Sequence, residues 1–161
     1  MKAVGAALLS FMAGPALALS CMAPDVAHTF KELQSAPQTY VVVHGVLDFD
    51  PAKMPEDGLV NPSQDVSETR MDARLNGNAL NVQGFAVPFN SKITLNVECI
   101  WSWCPSPKAG SSVLAFVEVS KNEHVFNLGP CYFTGFFNPD QATLNKAAAC
   151  FRGEACEPRL Q

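Results

Sequence analysis

Apolar and polar residues alternate through much of this chain. In residues 93–99, Ile93, Leu95, Val97 and Cys99 share one face, with Thr94, Asn96 and Glu98 on the other. That is the period-2 pattern of a half-buried β-strand. Residues 39–49 predict a second strand. There Tyr40, Val41, Val42 and Val43 are nearly continuous, as in a strand covered on both sides. Gly45 within it reads as a bend or bulge, which a small barrel needs in order to curve. Residues 69–75 place Met71, Ala73 and Leu75 on one side. Asn76-Gly77-Asn78 then reads as a hairpin turn. Residues 79–89 return as a strand, with a phase slip near Gln83-Gly84 that reads as a bulge. Residues 112–119 are again nearly continuously apolar, Lys121-Asn122 predicts a turn, and residues 124–128 pair back.

Two stretches carry a helical period instead. Ala23-Pro24-Asp25 opens the first, and Val26, Phe30 and Leu33 form a stripe that one side can bury. Pro24 suits the first helical turn. The second starts at Asn138-Pro139-Asp140, with Asn138 as cap, Pro139 in the first turn and Asp140 near the positive end. Leu144, Ala147, Ala148 and Phe151 form its face, and Gly153 stops it. Strands outnumber helices and join mostly through short turns, so the fold class is all-β, a small barrel or sandwich with a short N-terminal helix and a C-terminal helix. No repeat or second domain interrupts residues 21–161.

Residues 1–20 read as a processing signal. Lys2 is a minimal positive region, residues 3–17 are apolar, and Ala16-Leu17-Ala18 is a small-x-small cleavage site. A cut after Ser20 is the alternative, and it makes Cys21 the mature N-terminus. The position three before Cys21 is Ala18 rather than the leucine of a lipoprotein site, which argues against a lipid anchor. Export to the periplasm or beyond the cell follows. The formal charge is −4, and removing Lys2 makes the mature chain more acidic. Without a basic cluster, this argues against nucleic acid and anionic membrane surfaces. No second apolar run is long enough to span a bilayer.

All six cysteines, Cys21, Cys99, Cys104, Cys131, Cys150 and Cys156, lie after that signal. An even count in an exported chain reads as disulfides. Cys150 and Cys156 close a small loop at the helix end. Cys99 and Cys104 bracket a corner containing Trp101 and Trp103. A metal there would want further Cys or His at matching spacing, and His28, His44 and His124 are scattered. A redox pair usually has two intervening residues, not four. The corner therefore reads as structural, and no metal or cofactor is expected.

Two readings compete for the aromatics. Trp101, Trp103, Tyr132 and Phe133, with Phe136 and Phe137, fill the ends of a barrel, or they form an exposed patch for a protein partner or extended ligand. Catalytic motifs are absent from the sequence. His44, in the most apolar strand, reads as a satisfied structural histidine. Residues 48–68 read as a long acidic loop. Its Asp48-x-Asp50 start mimics an EF-hand, but Lys53 stands where glycine is required and Leu59 where the bidentate glutamate belongs.

The order of these features resembles netrin-like modules, which include the tissue inhibitors of metalloproteinases. A cysteine directly after a signal, an Ala-Pro pair, a short helix and the strand YVVVHG are similar to their start. The tryptophan–cysteine corner, the strand VLAFVEV, Pro130-Cys131 and a C-terminal helix with cysteines follow in similar order. The layout is also similar to that of exported bacterial proteins. The resemblance implies an OB-like five-stranded barrel with its N-terminal segment stapled on by disulfides. In the inhibitors, a free N-terminal cysteine chelates the protease zinc. That role carries over to Cys21 if cleavage follows Ser20, with Met22 directed into a specificity pocket. The inhibitors have Cys-x-Cys, whereas here Ala23 stands two after Cys21. Besides Cys150–Cys156, either Cys99–Cys104 with Cys21–Cys131, or Cys21–Cys104 with Cys99–Cys131, completes the bridges; closing a short loop costs little ordering, which favours the first set.

Two functional expectations follow. One is a non-enzymatic exported binding module, protease-inhibitor-like or an envelope protein-interaction domain, whose partner is a protein or an extracellular protease. Its binding residues are Cys21, Met22, Trp101, Trp103, Tyr132 and Phe133. The other is a small periplasmic hydrolase or metal-dependent enzyme using the acidic loop and His44.

Overall fold

The computed structural model describes residues 21–55, 66–101, 103–121 and 123–159. The chain runs α1 (Val26–Gln34), β1 (Thr39–Phe49), a 3-10 turn (Pro51–Lys53), β2 (Val66–Asn81), β3 (Gly84–Ile100), β4 (Ser111–Val119), β5 (His124–Leu128), β6 (Gly135–Phe137) and α2 (Gln141–Phe151). It is mostly β with two helices, as its patterning predicts. The signal expected over residues 1–20 lies outside the described residues, as does much of the acidic loop.

The sheet closes on itself. Its order is β1-β2-β3-β5-β4, and β1 pairs with β4 as well as with β2. Neighbours are antiparallel except β3 and β5, which run parallel. β6 is a sixth, short strand beside β4, and it is not among the strands that the pattern predicts. The ring holds one core, with Val43, Leu47, Leu75, Leu95, Val97, Val113, Val117, Phe126 and Leu128 fully enclosed. Burial of each such side chain contributes about 1.5–3 kcal/mol.

β1 and β4 have apolar runs because they are covered twice. Val43 and Leu47 point into the ring, while Val42, Leu114 and Phe116 point outward and meet Val26 of α1 and Ala147 of α2. Phe30 of α1 lies edge-on to Phe116 at 5.4 Å. The other half of the ring, β2 and β3, alternates over most of its length, although Asn96 on the polar face is buried as well. Its buried face is Met71, Ala73 and Leu75 against Ile93, Leu95 and Val97.

The structure moves several predicted boundaries. Asn76-Gly77-Asn78 is not a turn; β2 runs straight through it. Gly77 lies opposite Gly45 of β1. A Cβ on Gly77 would stand 2.1 Å from the His44 carbonyl oxygen, and one on Gly45 would stand 2.4 Å from the Asn76 oxygen. The paired glycines permit close backbone approach where the strands cross. The hairpin turn falls instead at Val82-Gln83, where Asn81 Oδ1 accepts from the Gln83 N–H at 2.8 Å and Gly84 has φ +109°. The bulge predicted near Gln83-Gly84 is thus this turn, and the register shift of the pair lies between Ala79 and Leu80. The return strand and the 93–99 strand are therefore one element, β3.

Both helix starts also shift. Asp25 caps α1, accepting from Ala27 and His28, so Pro24 precedes the cap. Asp140, not Asn138, caps α2, accepting from Thr143 at 2.8 Å. An ionised carboxylate caps more strongly than the neutral amide two residues earlier. Gly153, with φ +73°, follows the end of α2 as expected.

The bridges are Cys21–Cys131, Cys99–Cys104 and Cys150–Cys156. This is the set favoured by short-loop closure.

Candidate functional site

One end of the ring gathers the residues of interest. β1, β3 and β5 run the same way, so the corner after Ile100 and the segment after Leu128 emerge together. Gly129 passes beside the Glu98 side chain.

The corner is locked twice. Ile100 N–H donates to Trp103 C=O at 3.0 Å, and Trp103 N–H donates to Ile100 C=O at 2.9 Å. Cys99 and Cys104 flank this pair with Cα atoms 4.3 Å apart. That separation suits a non-hydrogen-bonded antiparallel pair, the position where a cross-strand bridge fits. Cys99 is buried, but Trp101 and Trp103 are 45% and 46% exposed. They do not fill the ring.

The second bridge pins the N-terminal segment to the same end. Cys21 and Cys131 join positions 110 residues apart. Met22, beyond the bridge, is 66% exposed. Phe133 is 39% exposed and lies edge-on to His28 at 5.9 Å. Its backbone is fixed because the buried Thr29 hydroxyl donates to the Phe133 C=O at 2.8 Å. Cys21, Met22, His28, Phe133 and Arg159 line a cleft of about 500 Å³.

Asp25 is the clamp beneath this cleft. One carboxylate oxygen caps α1, and the other accepts from the Arg159 N–H at 3.1 Å and its Nε at 3.2 Å. Burial alone would raise the Asp25 pKa. The hydrogen bonds from Arg159, His28 and Ala27 outweigh it and hold the carboxyl below its ordinary range. The tail after α2, held by Cys150–Cys156, thereby ties down the start of α1.

Cys21, Met22 and Phe133 thus converge on one cleft. Trp101 and Trp103 stand at the same end without lining it. Tyr132 is a brace: its hydroxyl accepts from the Ser106 N–H at 2.8 Å, and its ring lies edge-on to Phe137 at 5.6 Å. Asp25, Thr29 and Arg159 were not singled out for the site. Arg159 follows the helix in a tail without period, so nothing in the pattern marked it.

Among the described residues, His44, His124 and Asp50 make other contacts, and residues 56–65 of the acidic loop lie outside the described residues. His44 Nε2 is 3.1 Å from Ser112 Oγ, and its ring lies edge-on to Phe85 at 5.7 Å. Burial lowers its pKa. His124 packs against Phe89, and Asp50 caps the 3-10 turn through Ala52. Among the described residues, no group of three or more His, Cys, Asp or Glu is placed to hold a metal ion. Among them also, no helix is long and apolar enough to cross a membrane.

No family model, curated protein or solved structure matches this chain.

Proposed function

We propose that this chain is an exported, non-enzymatic binding module of OB-like, netrin-like architecture, and that its aromatic end engages a protein partner. The strand order β1-β2-β3-β5-β4 with closure onto β1 supports the OB-like reading. Three disulfides support an oxidising compartment. The observation that carries the functional reading is the position of Met22: exposed, bridged through Cys21 to Cys131, and facing a cleft with Phe133. An exposed apolar side chain held by a covalent anchor loses little conformational freedom on binding. In the protease-inhibitor form of this proposal, Cys21 is the mature terminus and its amine and carbonyl meet the zinc of a metalloprotease.

Mass determination of the N-terminus of the secreted protein tests that form. A terminus at Cys21 supports it. A terminus at Leu19 contradicts it and leaves an envelope interaction domain as the remaining form.

A further inference from the structure

β6 is paired along one edge only. Val113, Leu114 and Ala115 of β4 stand opposite Phe137, Phe136 and Gly135. Asn138 N–H donates to Ser112 C=O at 2.8 Å, and Phe116 N–H donates to Thr134 C=O at 2.9 Å. In an antiparallel ladder, residues that exchange these bonds alternate with residues whose N–H and C=O point the other way. Asn138, Phe136 and Thr134 form the bonded set. Phe137 and Gly135 therefore direct their main-chain groups away from β4. Gly135 N–H turns back to the Tyr132 C=O at 3.2 Å. Among the described residues, nothing pairs with the N–H or C=O of Phe137.

That free edge borders a second cleft, of about 670 Å³, lined by Phe137 and Asn138 on one side and by Ser106, Lys108, Tyr132 and Arg159 among others. Its walls are braced by the Tyr132–Ser106 hydrogen bond. Lys108 and Arg159 line it, but Arg159 is already paired with Asp25, and the one lining carboxylate, Asp140, caps α2. Among the described residues, Lys108 has no carboxylate partner.

We infer that this cleft binds an extended peptide segment of a partner protein, which adds as a strand to the free edge of β6 and presents a carboxylate to Lys108. A peptide fits because the unpaired donor and acceptor of one residue match the main chain of an added strand, while alternate side chains enter the cleft. The carboxylate of the peptide follows from Lys108, the lining cation that no carboxylate of the described residues engages. The inference rests on the ladder pattern and not on the netrin-like reading.

Random heptapeptides displayed on phage are selected on the full chain and, in parallel, on Lys108→Glu, a change at an exposed position. Circular dichroism confirms that the variant is folded. Enriched peptides are synthesised and titrated while amide exchange is followed by NMR. The expected peptides alternate apolar and polar residues and carry an acid. The Phe137 amide exchanges freely in the chain alone and is slowed about tenfold or more in the complex. N-methylation at alternate peptide positions weakens binding about tenfold, and Lys108→Glu weakens it about tenfold, with a shallower salt dependence. The inference is overturned if no peptide is enriched over the Lys108→Glu control, if enriched peptides leave the Phe137 amide unchanged, or if N-methylation is tolerated. It is also overturned if the amide is already protected in the chain alone. Protection that grows with protein concentration would assign the edge to a second copy, and protection lost on removing residues 1–20 would assign it to the chain's own N-terminus.

Discussion

The two bridges at the aromatic end use the same chemistry for different purposes. Cys99–Cys104 spans a turn already closed by a reciprocal hydrogen-bond pair. Cys21–Cys131 joins positions 110 residues apart and holds a segment that belongs to no strand or helix. The first adds a covalent lock to a structure the backbone forms anyway. The second creates a position, since the exposed Met22 has no other covalent tether near the cleft. Exposed apolar residues here are therefore of two kinds. Trp101 and Trp103 sit on a turn that is locally determined, and Met22 and Phe133 sit where a distant constraint places them.

Removing the long-range bridge with Cys21→Ala and Cys131→Ala gives the largest expected loss. On the chain-entropy account a closed loop on the order of 100 residues contributes about 4–5 kcal/mol. Urea denaturation of the double variant checks this against the wild type. The short bridge, removed with Cys99→Ala and Cys104→Ala, is worth about 2 kcal/mol by the same account. Equal losses from the two pairs would contradict the distinct roles of the two bridges.

Asp25→Asn comes next, at about 1–2 kcal/mol, from a weakened cap and a lost ion pair to Arg159. Its signature is in pH. The folded pKa lies below the ordinary value of 3.8, so this stabilisation is present above that value. It is lost as pH falls through the folded pKa. The acid side of a stability–pH profile, measured below about pH 4, is shallower in the variant. A profile parallel to the wild type would contradict the clamp.

The smallest expected effect on stability is that of Trp101→Ala with Trp103→Ala, under about 1 kcal/mol, because both side chains are about half exposed and the turn keeps its backbone bonds. A thermal melt several degrees lower would show that the tryptophans pack as part of the core.

Much of the fold was legible because burial imposes period. The face Ile93, Leu95, Val97 and Cys99 is buried as its alternation predicts, and the continuous run in β1 reflects cover on two sides. Asn76-Gly77-Asn78 misled because glycine serves both turns and close approach, and only the partner strand tells which. Gly45 and Gly77 are 32 positions apart along the chain, so their contact leaves no local mark. The site was legible in part. Of the two bridge sets left open, short-loop closure favours the one that pairs Cys21 with Cys131, and Phe133 is its near neighbour in sequence. The clamp between Asp25 and Arg159 joins residues 134 positions apart, and neither hydropathy nor spacing encodes such a pair.

The most direct test of the aromatic end is inhibition of a panel of zinc metalloproteases by protein whose N-terminus is Cys21, beside its Met22→Asp variant. The protease-inhibitor form of the proposal predicts saturable inhibition of at least one protease, lost in Met22→Asp while the melting temperature stays unchanged. No inhibition across the panel, or inhibition equal in the variant, would contradict that form.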